Sequence, residues 1–333
     1  MRPPSATSCP AGENGLTTTT PGRRRGGVPL LKPPAFRQSL SGRLEHNEGL
    51  FAFLLVLPAM LIVLALYIYP LLYSFVISFL RSDIRYPEEF RGLKNYIEIF
   101  QEPELLVSFW RTIYFTLVSL AIEMVGGISI AVALNNRFFG RPLARSLILI
   151  PWAIPPVVTG IIWNWLVHAK IGVLNFVLYS LKLIPRYKPW LADPAWAMNL
   201  IVLADAWKWT PLVVLLVLAG LQAIPEELYE AATIDGAGGT AVFFRVTLPV
   251  ISWPILVTLI LRTVEAIRVF DIIYVMTRGG PANATKLTTF YVWEIAFKHH
   301  RMGFGAALAW LVTFLIVILA VFYFRLLNRR VEM

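Results

Sequence analysis

Apolar residues in this chain do not alternate with polar ones; they gather in long runs near 50–80, 112–135, 146–168, 199–221, 251–277 and 303–324. A run of about 20 residues is the length of helix that crosses a hydrocarbon layer about 30 Å thick. Inside lipid a backbone must satisfy its own hydrogen bonds, and these runs far exceed the roughly 9–11 residues of a barrel strand. The pattern predicts an all-α integral membrane protein with six transmembrane helices. An even number of crossings puts both termini on one side. Pro151, Pro155 and Pro156 interrupt the third run and Gly126 and Gly127 lighten the second. Such residues serve ordinary packing, or permit kinks and close helix approach.

Composition narrows the function classes. Of 333 residues, 57% are hydrophobic and 15% charged, against about 45–50% and about 25% in soluble domains, which argues against a soluble enzyme. The single cysteine, Cys9, offers no intrachain disulfide and no metal cluster. Residues 1–49 are rich in Pro, Gly, Ser and Thr and read as a disordered cytoplasmic tail, with 326–333 as a short C-terminal one. The Arg23–Arg25 triplet lies too far before the first apolar run for an export signal. Lys and Arg divide almost evenly between the two sides. The short segments holding Arg137, Arg141 and Arg145, and later Arg325, Arg329 and Arg330, favour both termini inside. The net charge of +10 sits on the tail and helix flanks. That distribution suits anionic lipid and gives no compact basic face for nucleic acid.

The stretch 222–250 is too polar to span. Pro225 suits a first helical position, Glu226 and Glu227 complement the positive end of a helix dipole, and Asp235-Gly236 is a stop signal. A helix of about three turns is expected there. Thr240 is expected to cap a second short helix bearing Phe243 and Phe244 and ending before Pro249. Leu228, Ala231, Ala232 and Ile234 make a small apolar ridge, while Glu230 and Asp235 can meet basic groups. The residues alone allow a docking element or a helix resting on lipid. The acidic first half favours docking, because interfacial helices usually display Lys and Arg.

The segment Glu230-Ala-Ala-x-x-Asp-Gly-Ala237, followed by Leu248-Pro249, resembles the EAA loop in the membrane subunits of bacterial ABC importers. The resemblance covers roughly 50–330 and includes Phe90-Arg-Gly-Leu-Lys-Asn-Tyr-Ile-Glu-Ile-Phe100, Phe109-Trp-Arg-Thr112, Asp205-Ala-Trp207 with Pro211, Ala219-Gly-Leu-Gln222, Phe270-Asp-Ile-Ile-Tyr274 and Gly279-Gly-Pro281. The group it looks most like is the maltose, trehalose and glycerol-phosphate type, first permease of the pair. The resemblance implies a permease subunit in the bacterial plasma membrane that imports a sugar or sugar-like solute by alternating access. It implies as partners a second permease, two ATP-binding subunits and an extracytoplasmic solute-binding protein. Glu230, Ala231, Ala232, Asp235, Gly236, Ala237, Leu248 and Pro249 would form a cytoplasmic coupling element seated on an ATP-binding subunit. No G-x-x-x-x-G-K-[ST] phosphate loop occurs in the chain, so ATP and its Mg are expected on the partners, with no cofactor, metal or catalytic residue here.

Charges within the apolar runs are costly and mark cavities, partners or headgroups. Glu123, Asp205, Lys208, Arg262, Glu265, Arg268 and Asp271 are of this kind. The last four alternate in sign every three residues, so pairing along one fifth helix is expected. In the family, sugar contacts come from the helices flanking the coupling loop. By that position Asp205, Lys208, Trp209, Arg262 and Glu265 become candidates for the solute path. Asp205, Lys208, Arg262 and Glu265 are charged where the maltose type has small polar or amide groups, the Trp209 face can stack on a sugar ring, and Arg262 with Lys208 would also suit a phosphate. His299 and His300 lack a third ligand, and Asn283-Ala-Thr285 is a weak glycosylation match. A membrane enzyme would need a clustered His, Asp or Ser set, and an ion-driven transporter an internal repeat; neither is evident.

Overall fold

The computed structural model describes residues 48–83 and 86–331. Nearly all of the expected tail over 1–49, including Cys9 and Arg23–Arg25, lies outside the described residues. The chain divides into two units at Val63. In the first, α1 (Glu48–Val63) is apolar after Glu48, with Pro58 inside it. The second begins with a wide π-turn at Leu64–Ile68 and α2 (Tyr69–Ile77). By length and apolarity Gly49–Ile77 is able to cross a membrane.

The expected first span, 50–80, stops at Ile77, and the chain then departs from an all-helical plan. Strands β1 (Leu80–Asp83) and β2 (Tyr86–Phe90) pair antiparallel, Leu80 opposite Phe90. The buried side chain of Asn95, on α3 (Lys94–Ile99), holds this corner by donating to the Ser78 and Leu80 carbonyls at 2.8 and 2.9 Å. The Ser78 carbonyl, at the C-cap of α2, is among the groups a helix end leaves unpaired. Asn95 is thus the structural reason for one motif residue in the 90–100 segment.

Helix α4 (Pro103–Asn135) starts well before the expected 112, with proline in the first turn. Its early turns are polar yet covered, Ser108 and Thr112 being buried and bonded to carbonyls of their own helix. The third run is broken. Helices α5 (Arg141–Ile148) and α6 (Ile150–Ala153) meet α7 (Pro156–Leu166) at a bend of 97°. Ile154, which precedes Pro155, is extended (ψ 131°), because a proline ring excludes the helical conformation from the residue before it. After α8 (Val173–Ser180) comes α9 (Pro194–Gln222), whose first turn is capped by the Asp193 carboxylate accepting from Ala195 N–H at 3.1 Å.

A jointed segment follows: α10 (Glu226–Ile234), α11 (Gly239–Val242), a π-turn over Phe243–Thr247, and α12 (Leu248–Val250). It bends by 64° into α13 (Ser252–Ile267). The fifth run, expected as one helix over 251–277, ends at Ile267, and α14 (Asp271–Met276) is separate. Then come α15 (Thr288–Trp293), a π-turn at Glu294–Lys298, and α16 (Met302–Val331). The helix thus continues through most of the stretch expected as a C-terminal tail from 326. Among the described residues four helices are long and apolar enough to cross a membrane, or six spans if each bent pair counts as one.

Close approach of α4, α9 and α13 makes the centre. A Cβ on Gly127 would stand 2.5 Å from Val213 Cγ1, and one on Gly220 would stand 2.5 Å from Pro254 Cγ. Ala131, Val213, Val217, Leu221 and Ile251 fill the space between these contacts. Lipid is as apolar as these side chains, so their association rests on van der Waals fit, and small residues at the crossings make that fit possible.

Candidate functional site

Among the described residues two polar regions stand out, and they are built in opposite ways. The first is the elbow over 222–250. Its root is anchored by the buried Ile224, and its arms are joined where Thr247 Oγ1 meets the Tyr229 hydroxyl at 3.4 Å. Pro225 is the residue just before α10, one position earlier than expected, with Glu226 and Glu227 in the first turn. Gly236 ends the helix at φ +73°, with its N–H donating to Thr233 O at 3.0 Å and Ala237 N–H donating to Ala232 O at 3.0 Å. This double closure needs a left-handed residue, which glycine adopts without a Cβ penalty.

Thr240 does not cap the next helix, contrary to expectation. Gly238 holds the cap position in an extended conformation, and no side chain bonds the free N–H groups. The arm also runs through Leu248 and Pro249 into Val250 instead of stopping before them, because proline fits the first turn of α12. Glu230, Ala231, Asp235 and Gly236 are exposed, Ala232, Ala237 and Leu248 are half-buried, and Pro249 is exposed. Ile234 is 86% exposed. Its aqueous exposure would be unfavourable for so large an apolar side chain.

The second region is interior. Arg262 on α13 donates from Nε and Nη2 to the two Glu123 carboxylate oxygens at 2.7 Å each, and from Nη2 to Asp205 Oδ2 at 3.0 Å. Glu123 is on α4 and Asp205 on α9, so one guanidinium ties three helices. Relative exposures are 0% for Glu123, 3% for Asp205, 4% for Lys208 and 1% for Arg262. The Trp209 ring covers the guanidinium, its centroid 4.4 Å from Arg262 Cζ. Lys208 Nζ donates to the carbonyls of Trp152 and Ile154, at 3.3 and 2.5 Å. These are backbone groups at the break between α6 and α7, so Lys208 satisfies the polar atoms that the proline kink exposes.

Beside this cluster lies a cavity of about 100 Å³ whose wall includes Asp205, Lys208, Trp209, Glu265 and Phe270. Arg262 lies behind Asp205. The expected ladder along a single fifth helix is corrected here. Glu265 and Arg268 approach at 3.9 Å, but Arg262 turns to the other helices, and Asp271 begins α14 after the break. Four of the five solute-path candidates line one cavity and Arg262 stands directly behind it. Glu123 was visible as an acid in an apolar run, but nothing in the order of residues tied it to Arg262.

Away from both regions, Glu294 accepts from Lys286 and Lys298 near α15. Burial alone would raise its carboxyl, but the two bonded ammoniums hold it below the usual carboxylate range.

With this geometry in place, comparison with known proteins identifies its class. The profile of the family described as "Binding-protein-dependent transport system inner membrane component" matches residues 123–333. The chain is similar to the trehalose/maltose transport system permease protein MalF of Thermococcus litoralis, 40% identical over 284 residues that cover 84% of this chain and 94% of that one. It is similar to the sulfoquinovosyl glycerol transport system permease protein SmoG of Agrobacterium fabrum, 35% identical with 86% and 93% coverage. Its fold matches a bacterial ABC transporter involved in the import of the acidic polysaccharide alginate, with TM-score 0.74 at 20% identity, covering 87% of this chain and 98% of that one. By the extent of these matches, this chain belongs to the family of binding-protein-dependent transport inner membrane components, the permease subunits of ABC importers.

Proposed function

We propose that this chain is one half of a permease pair that carries a sugar across the bacterial plasma membrane, driven by ATP hydrolysis on two separate subunits. The carrying observation is the uncovered elbow: an acidic short helix closed by Gly236, with Ile234 exposed. Such a surface calls for a protein partner. Glu230, Ala231, Ala232, Asp235, Gly236 and Ala237 seat in a cleft of one ATP-binding subunit, and Leu248 with Pro249 passes the motion on to α13. In this reading each bent helix pair is one span, six in all. The 222–250 segment and both termini face the cytoplasm. An extracytoplasmic binding protein delivers the solute, and ATP with Mg stays on the partner chains.

The solute path runs beside Asp205, Lys208, Trp209, Arg262 and Glu265. Trehalose and maltose are the cargo class suggested by the names of relatives. A cavity of about 100 Å³ is smaller than the roughly 300–1,000 Å³ of pockets that enclose such ligands. The helices must therefore part to admit a sugar, as alternating access requires. Cysteine crosslinking tests the assignment: with Cys9 replaced, Ala231→Cys should crosslink to an ATP-binding subunit in membranes. Labelling of that cysteine from outside intact cells, with no crosslink, overturns it.

A further inference from the structure

The interior cluster holds two acids, Glu123 and Asp205, and two bases, Lys208 and Arg262, all buried. Its formal charges sum to zero. Arg262 spends Nε and Nη2 on the carboxylates, while Nη1 is buried without a hydrogen-bond partner. Glu123 is not itself among the residues that line the cavity. It occupies the two-pronged edge of the guanidinium, which fixes the plane of that group against Trp209. At the exposed rim, Glu265 and Asp271 outnumber Arg268.

We propose that Glu123 is a positioning residue that neutralises and orients Arg262, and so makes the chamber select uncharged polyhydroxy solutes over anionic ones. This rests on the chamber being the solute site. Hydroxyl groups meet an acceptor at Asp205 and, once the helices part, a donor at the otherwise buried Arg262 Nη1, without adding charge. A phosphate or carboxylate brings an unmatched charge to a cluster whose formal charges already sum to zero, and meets two rim acids on entry. Lys208 is already counted in that balance, and its Nζ is engaged with the Trp152 and Ile154 carbonyls, so it adds no spare cation.

The test uses the permease pair with its ATP-binding subunits, purified without the binding protein, and saturation-transfer NMR with maltose or trehalose 6-phosphate as probe. Wild type should bind maltose and not the phosphate at equal concentration. Glu123→Gln unbalances the cluster by one positive charge and should strengthen binding of the phosphate by about tenfold or more, with maltose binding changed far less. Glu123→Asp should retain the wild-type preference, and Glu123→Gln with Arg262→Gln should return to it. Equal binding of both probes by wild type overturns the proposal without depending on any variant's folding. So does an assembled Glu123→Gln complex with unchanged preference. Trp209→Ala separates the two readings. If it leaves maltose binding intact, the chamber is not the site and the proposal falls with it; if it removes binding while Glu123→Gln changes no preference, only the role of Glu123 falls.

Discussion

The elbow and the interior cluster are both polar islands in an apolar chain, and they treat charge in opposite ways. At the elbow, Glu230 and Asp235 are exposed, and the shape is held by backbone closure at Gly236 and one hydroxyl contact at Tyr229. In the cluster, the carboxylates of Glu123 and Asp205 converge on one guanidinium and three helices depend on it. Exposed charge can wait for a partner because water solvates it. Buried charge must be matched at once, so it becomes part of the packing.

Substitutions that break this contrast should rank accordingly. The largest effect belongs to Arg262→Ala, which leaves two carboxylates buried without their cation and should cost about 3–5 kcal/mol. The measurement is thermal unfolding of the purified complex. Adding Glu123→Gln and Asp205→Asn should recover part of that loss. Gly236→Trp comes next: nothing lies within 4 Å of the added Cβ, so the penalty within the chain is the left-handed backbone, about 1–2 kcal/mol. Uptake should nevertheless be lost, since the indole occupies the partner's cleft, and ATPase activity should no longer respond to solute. Normal solute-stimulated ATPase activity in that variant would remove the coupling role.

Glu230→Lys should change unfolding stability by only about 0.5 kcal/mol while abolishing uptake, which is the sharpest form of the contrast. The smallest effect is expected for Arg137→Ala. Its 3.2 Å pair with Glu226 is exposed on both sides, and an exposed pair contributes about 0–1 kcal/mol. Outside both islands, the lowered Glu294 carboxyl gives a pH signature. Its stabilising contribution is complete above the unfolded-state carboxylate pKa and is lost as pH falls through the lower folded value. Glu294→Gln should flatten the acid limb of an unfolding profile.

Much of the bundle was legible in one dimension, because spanning helices need long apolar runs and an elbow needs polar residues with a glycine stop. The misreadings have particular causes. α4 begins early since Ser108, ahead of the apolar run, is covered by protein, and hydropathy counts it as if facing lipid. The corner at Ser78–Leu80 became a hairpin because Asn95, more than ten positions further on, supplies the missing hydrogen bonds. α13 ends at Ile267, so Asp271 left the helix to which its spacing assigned it.

Local order therefore settled the presence of long apolar helices, the proline break at Ile154 and the left-handed stop at Gly236, since each depends on neighbours within a few residues and on backbone sterics. The pairing of Arg262 with Glu123 and Asp205 was decided only by the assembled helices. Those partners lie 139 and 57 positions away, and a buried cation takes whichever carboxylates the crossing of α4, α9 and α13 brings within reach, whatever charges stand next to it along its own helix.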